Sequence, residues 1–162
     1  MATTDDGLSG QEHLTAPERL ALEEDLSGMP PLVQTPSQTI GPFFAFALEH
    51  EDSGGPLRIG GTVFDGAGEP VNDALLELWD GRHFARALTD PEGRWSVATE
   101  QPDGEYIAVS VFARGLLQRL VTRVHLDPAT ASHPSLVARE EEDGWKWDIH
   151  LQGDRETMFF AL

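Results

Sequence analysis

The sequence contains no cysteine, a single tyrosine and only 11 lysine and arginine residues against 28 aspartate and glutamate residues. The absence of cysteine excludes disulfides and every metal site that needs thiolate ligands, and it fits a reducing compartment, so we expect a cytoplasmic protein. A formal net charge of −17 would repel a polyanion, which argues against nucleic-acid binding. An anionic small substrate would need arginine side chains concentrated locally to overcome the same field.

Long apolar runs and secretion signals are also missing. No stretch of about 18 apolar residues is present, so we expect no transmembrane helix. The N-terminal residues are acidic and polar, without the basic and apolar regions of a signal peptide. At 162 residues, of which 40% are hydrophobic, the chain is long enough for one domain with a sizeable core.

Residues 1–32 differ in composition from the rest of the chain. The sequence TAPERLALEEDL from Thr15 predicts a short helix, with Thr15 as its cap and Gly28 and the Pro30–Pro31 pair ending it. A solvated acidic tail explains the same residues equally well. We therefore assign 1–32 to an acidic N-terminal tail that is either partly helical or unstructured.

Residues 33–56 predict an extended arm and a linker to the core. Within the sequence TPSQTIGPFFAF, Pro36 and Pro42 fix φ and keep the preceding residues extended. Gly41 has no Cβ and permits a close approach by a ligand or another backbone, while Phe43 adds apolar area. Such an arm is suited to lying across a partner surface, although packing on its own domain is the alternative.

From residue 57 to residue 162 the pattern is typical of an antiparallel β-sandwich with an immunoglobulin-like or prealbumin-like core. Short alternating segments are separated by turns rich in glycine and proline. A hairpin is expected from the first two segments, and a short helical turn within 128–136. The predicted strands are Arg58–Phe64, Ala74–Trp79, Arg94–Ala98, Tyr106–Ala113, Gln118–Leu126, 145–151 and 156–162, with a loop between Trp79 and Gly93.

The six histidines do not have the spacing of a metal site. No HxH, HxxxH or HExxH pattern occurs, so we predict no metal bound by this chain, with a histidine-based metal site as the alternative. No GxSxG nucleophile elbow is present. Gly60 and Gly61 lie inside a strand and do not open a helix, which argues against a phosphate loop.

Arg114 stands out because it follows an apolar strand within the sequence FARG. A strand-end arginine beside a glycine can present its planar guanidinium to a carboxylate. In a chain this acidic, an anionic substrate would require such a residue, although an intramolecular salt bridge explains it equally well.

Four segments resemble the intradiol ring-cleaving dioxygenases: TPSQTIGPFF, GTVFDGAGEPVNDALLELW, SVFARGLLQRLVTRVHL and the closing DIHLQGDRETMFF. The resemblance extends from about Val33 to the C-terminus. It implies a β-sandwich enzyme built from homologous alpha and beta chains, with several alpha–beta pairs in one particle. It also implies that a non-haem Fe(III) is bound by the beta chain through two tyrosines and two histidines. The implied reaction cleaves protocatechuate with O₂ to 3-carboxy-cis,cis-muconate.

The resemblance further implies that this chain is the alpha-type subunit and is not active alone. The family's histidine pair falls on Tyr106 and Ala108, Tyr106 is the only tyrosine, and the loop that should carry the first tyrosine ligand is shortened. By resemblance, Thr39, Gly41, Pro42, Phe43 and Arg114 would line the pocket of the beta partner. Arg114 would act as a catalytic residue that neutralises the substrate carboxylate or the developing anion. A non-catalytic β-sandwich binding module is the alternative function.

Overall fold

The computed structural model describes Gly41, Leu48 and residues 50–161. Over this range it contains nine strands and two short 3₁₀ turns, Pro128–Thr130 and Pro134–Leu136. The strands are β1 Leu57–Phe64, β2 Leu75–Trp79, β3 Phe84–Leu88, β4 Arg94–Thr99, β5 Ile107–Phe112, β6 Leu120–Val124, β7 Arg139–Glu141, β8 Gly144–Lys146 and β9 Ile149–His150. The N-terminal helix predicted within 1–32 and nearly all of the predicted arm lie outside the described residues.

The strands form two sheets. One has the order β3-β2-β5-β6 and is antiparallel throughout, and the other has the order β4-β1-β8-β7, with β9 also paired to β1. The predicted antiparallel β-sandwich is confirmed. The alignment of β8 and β9 parallel to β1 is an additional feature that strand patterning could not reveal, because side chains alternate with the same period in parallel and antiparallel strands.

The core lies between the two sheets and is built from the inward-facing residues of both. Trp95 and Trp147 meet edge to face, with ring centroids 6.4 Å apart, a favoured aromatic geometry. The indole nitrogen of Trp147 donates a hydrogen bond to the Ser135 carbonyl at 2.8 Å, which satisfies its only donor. The buried apolar residues include Ile59, Val63, Leu76, Leu78, Val97, Ile107, Val109, Val111, Val124 and Ile149.

The predicted hairpin between the first two strands is wrong. β1 pairs with β4, whereas β2 pairs with β3 and β5 in the other sheet. The Asp65 carboxylate accepts hydrogen bonds from the backbone of Ala67 and Glu69, which folds a tight turn after β1. The turn returns only as far as an isolated bridge between Phe64 and Pro70. Val71 still donates its N–H to the Val63 carbonyl at 2.9 Å, but the Val63 N–H is donated to Gly93, so the pairing ends here and the chain crosses to the opposite sheet.

Two further predictions fail at the level of single strands. β3 lies in the segment predicted as a loop; its inward side chains, Ala85 and Ala87, are too small to give a strong hydrophobic pattern, although both are buried. The predicted terminal strand is reduced, up to residue 161, to an isolated bridge between Phe160 and Val121.

The predicted helical turn after β6 is confirmed by the two 3₁₀ turns. In the described part of the chain, no helix is long and apolar enough to span a membrane.

Gly61 marks the point where the ladder between β1 and the β8–β9 segment is interrupted. Trp147 donates its backbone N–H to the Gly60 carbonyl at 2.7 Å, and the Asp148 carboxylate accepts the N–H of Thr62 at 2.9 Å. A Cβ at Gly61 would overlap the backbone carbonyl of Trp147. Only glycine therefore allows the two backbones to approach this closely.

Candidate functional site

Arg114 lies just beyond the end of β5, and its side chain is oriented by one acidic neighbour. Its Nε is 3.2 Å from Oδ2 of Asp73, and the two side chains are 66% and 16% exposed respectively. Gly115 follows with φ of 93°, a conformation that glycine adopts without strain. Among the described residues, Asp73 is the one acidic side chain that pairs with Arg114, and about two thirds of the Arg114 side chain stays exposed to solvent.

This arrangement joins the two interpretations of Arg114 that the sequence left open. The intramolecular salt bridge exists, but the guanidinium side chain remains 66% exposed and is therefore accessible to a second acceptor. A guanidinium held in this way is suited to bidentate recognition of a carboxylate. Its role toward a substrate stays a prediction.

The other predicted pocket residues are almost entirely outside the described range. Gly41 is described and exposed, whereas Thr39, Pro42 and Phe43 lie outside the described residues. Their placement at a pocket therefore stays a prediction as well.

The two positions that correspond to the family's histidine pair lie at the start of β5. Tyr106 immediately precedes the strand, and Ala108 pairs directly with Arg123 on β6. The guanidinium carbon of Arg123 lies 4.9 Å from the centre of the Tyr106 ring and 4.8 Å from that of Phe160. These distances are within the range of cation–π attraction, so the arginine is held between two aromatic rings.

His125 is buried beside Arg123. No sequence motif indicates that it lies close to Arg123 and Tyr106. Only 1% of the residue is exposed, its Nδ1 lies 2.7 Å from the Thr130 hydroxyl, and its ring centroid is 5.7 Å from that of Tyr106. Burial is the main cause that lowers the pKa of His125, and the positive charge of Arg123 lowers it further, while Glu105 acts in the opposite direction. The histidine is therefore kept neutral at pH 7.

These residues do not fit a ferric-iron site. Ala108 offers no donor atom, Tyr106 is the only phenol in the sequence, and the fixed positive charge of Arg123 would repel a metal cation at short range. Across the described residues, no three histidine, aspartate or glutamate side chains come together in a way that could hold a metal ion.

A separate cleft of about 430 Å³ lies over the other sheet. The residues that line it include Arg58, Gly60, Ser96, Trp145 and Lys146. Neither Arg114 nor Gly41 lines this cleft. We therefore do not connect it with the candidate site at β5.

The relatives found by sequence comparison include two curated proteins. The chain is similar to the protocatechuate 3,4-dioxygenase alpha chain of Burkholderia cepacia, with 31% identity over 197 residues, covering 83% of this chain and 100% of the relative. It is also similar to the alpha chain of the same name from Pseudomonas putida, with 29% identity, covering 80% of this chain and 96% of the relative. No family model matches the chain.

Among solved structures, the fold is similar to that of hydroxyquinol 1,2-dioxygenase from Pseudomonas putida DLL-E4. The TM-score is 0.50 at 19% identity, covering 80% of this chain and 70% of that one. The fold and the relatives together place this chain in the intradiol ring-cleaving dioxygenase family. Within that family, the Burkholderia cepacia and Pseudomonas putida relatives are both protocatechuate 3,4-dioxygenase alpha chains.

The lowered pKa of His125 predicts a pH dependence of stability. In the unfolded chain this histidine takes up a proton as the pH falls below about 6.5, whereas the folded protein resists protonation. The free energy of unfolding should therefore fall as the pH is lowered from about 7.5 to about 5. Burial and Arg155 also lower the pKa of His150, so replacing His125 should reduce this dependence without abolishing it.

Urea unfolding of the wild type and the His125→Gln variant at a series of pH values measures the effect. We expect a shallower pH dependence in the variant, whatever its absolute stability. Equal pH dependence in the two proteins would show that His125 is not kept neutral by the fold.

Proposed function

We propose that this chain is the iron-free alpha-type subunit of a protocatechuate 3,4-dioxygenase. In this proposal it contributes residues to an active site whose non-haem Fe(III) is held by a homologous beta subunit. The assembled enzyme cleaves protocatechuate with O₂, between the two hydroxyl-bearing carbons, to give 3-carboxy-cis,cis-muconate. The names of the two relatives by sequence support this assignment.

The observation that carries the proposal is the replacement of potential metal ligands at the start of β5. Tyr106 and Ala108 stand where the family's histidine pair is expected, and the strand register puts Arg123 directly beside Ala108. A fixed guanidinium and a methyl group do not provide a metal site. The iron must therefore be bound elsewhere if the family's reaction is to take place, and a homologous partner chain is the natural place for it.

Arg114 supplies the positive charge that an aromatic carboxylate needs in a chain of net charge −17. In the proposed site its two terminal nitrogens donate hydrogen bonds to the substrate carboxylate. Asp73, with its Oδ2 at 3.2 Å from Nε, restricts the side chain, so that less side-chain entropy is lost when the substrate binds. The arginine therefore neutralises the substrate carboxylate and orients the ring for cleavage.

The predicted arm supplies the remaining contacts of this chain. Thr39, Gly41, Pro42 and Phe43 line the pocket of the partner in the proposal, with the prolines holding the backbone extended. Gly41, which is exposed, permits the close approach of the substrate ring. The active site is then completed only when the two chains assemble, and several alpha–beta pairs form the cytoplasmic enzyme.

Co-expression with a homologous iron-binding chain tests the proposal. The chain purified alone should be colourless and iron-free. The copurified complex should be red-brown, a colour that tyrosinate bound to ferric iron produces, and should contain one iron per pair of chains. A chain that stays monomeric beside such a partner would instead support the non-catalytic binding module, and iron bound to the isolated chain would contradict the assignment directly.

A further inference from the structure

A row of three residues crosses the outer face of the four-stranded sheet. Trp79 on β2 pairs with Ala108 on β5, and Ala108 pairs with Arg123 on β6. Since neighbouring strands lie about 4.8 Å apart, the backbones of Trp79 and Arg123 are separated by about 10 Å. Ala108 fills this interval with only a methyl group, and Tyr106 borders it one position further along the same face.

The aromatic side chains of this row are unusually exposed for their size. Trp79 is 48% exposed and Tyr106 is 41% exposed. Large aromatic side chains bury the most apolar area when a second surface covers them. Tryptophan, tyrosine and arginine are also the residues that contribute most of the binding energy at the centres of protein interfaces.

Arg123 brings a positive charge to this face without a matching carboxylate. It makes no ion pair with any described residue, and its Nε is buried without a hydrogen-bond partner. Acidic side chains on the adjoining strand and turn are already engaged, Glu77 with Arg86 at 3.0 Å and Asp80 with His83 at 2.9 Å. The rings of Tyr106 and Phe160 fix the guanidinium in place, so little entropy is lost when it binds an acceptor.

We infer that Trp79, Tyr106, Ala108 and Arg123 form a docking surface for the homologous iron-binding chain. We call these four residues the Trp79–Arg123 surface. The partner places a carboxylate side chain over Ala108, where it pairs with Arg123, and its neighbouring apolar groups cover Trp79 and Tyr106. The inference rests on the proposed function, since it names the surface through which the two chains assemble.

The charge of the chain favours this occupant over a second copy. A second copy of this chain would bring a net charge of −17 against another of the same sign, which disfavours self-association. Four residues cover only a fraction of the roughly 800 Å² per partner that a stable interface buries. The Trp79–Arg123 surface is therefore the centre of a larger contact.

The dissociation constant of the full-length chain for its iron-binding partner measures the contribution of this surface. Arg123→Gln and Trp79→Ala should each raise the dissociation constant about 10-fold or more, as expected for central interface residues. As a control, Arg139→Gln removes an exposed positive charge from β7 of the other sheet. It should change the dissociation constant less than about 2-fold. Trp79→Ala keeps the test valid if Arg123→Gln impairs folding, since about half of the Trp79 surface is already in solvent.

The possible outcomes test the docking surface, its occupant and the proposed function separately. If the wild-type chain assembles and neither Trp79→Ala nor a folded Arg123→Gln variant changes the dissociation constant, the docking surface is wrong while the proposed function stands. If the variants instead alter self-association of the isolated chain, the occupant is a second copy and the inference is overturned. If the wild-type chain does not assemble with an iron-binding partner at all, the proposed function itself fails.

Discussion

Replacing Arg114 with alanine in the assembled enzyme should lower kcat/KM for protocatechuate about 10- to 100-fold. Hydrogen bonds to a charged group contribute about 1.5–3 kcal/mol, and each 1.4 kcal/mol is about a factor of ten. If Arg114 binds only the substrate carboxylate, the loss will be in KM. A loss in kcat would show that it also stabilises charge that develops in the transition state.

Two controls separate this role from a structural one. A catechol without a carboxylate should react at the same rate with the wild type and the Arg114→Ala variant. Asp73→Asn should give a smaller loss in the same direction, because the guanidinium keeps its donors but loses the carboxylate at 3.2 Å that orients it. Equal losses for both substrates, or no loss for either, would contradict the role of Arg114.

Replacing Gly61 with alanine should destabilise the fold by about 3 kcal/mol or more. The added Cβ would overlap the carbonyl oxygen of Trp147, and a backbone carbonyl cannot move aside as a flexible side chain can. Relief of the overlap would push the segment between β8 and β9 away from β1. The backbone hydrogen bond from Trp147 to Gly60 and the bond from Thr62 to Asp148 would then lengthen or break.

Urea unfolding measures this change, and Gly104→Ala is its matched control. Gly104 is exposed, and an added Cβ there would meet no heavy atom within 4 Å. The control should shift the free energy of unfolding by less than about 0.5 kcal/mol. A Gly61→Ala protein as stable as the control would show that the backbones of β1 and Trp147 are not closely packed.

The strands that could be predicted from the sequence are those with large alternating side chains. In β5, for example, Ile107, Val109 and Val111 face the core and are buried, and the turns beside them contain glycine and proline. β3 was missed because its buried side chains are alanines. The pairing of β1 with β4, instead of with β2, depends on contacts between distant segments, which a local pattern does not record.

The candidate site was predictable only in part. Arg114 was found because an arginine beside a glycine follows an apolar strand, but its ion pair with Asp73 joins residues 41 positions apart in the sequence. Arg123 and His125 had no recognisable motif. Their meeting with Tyr106 depends on the register between β5 and β6 and appears only when the sheet is formed. The position of Phe160 beside Arg123 likewise depends on a bridge to β6.

Oxygen consumption with protocatechuate, measured for each chain alone and for the two together, tests the central claim most directly. We predict no turnover by this chain alone, and turnover by the assembled pair that yields 3-carboxy-cis,cis-muconate and is reduced when Arg114 is replaced by alanine. Turnover by this chain alone, or an assembled pair whose turnover does not depend on Arg114, would contradict the account.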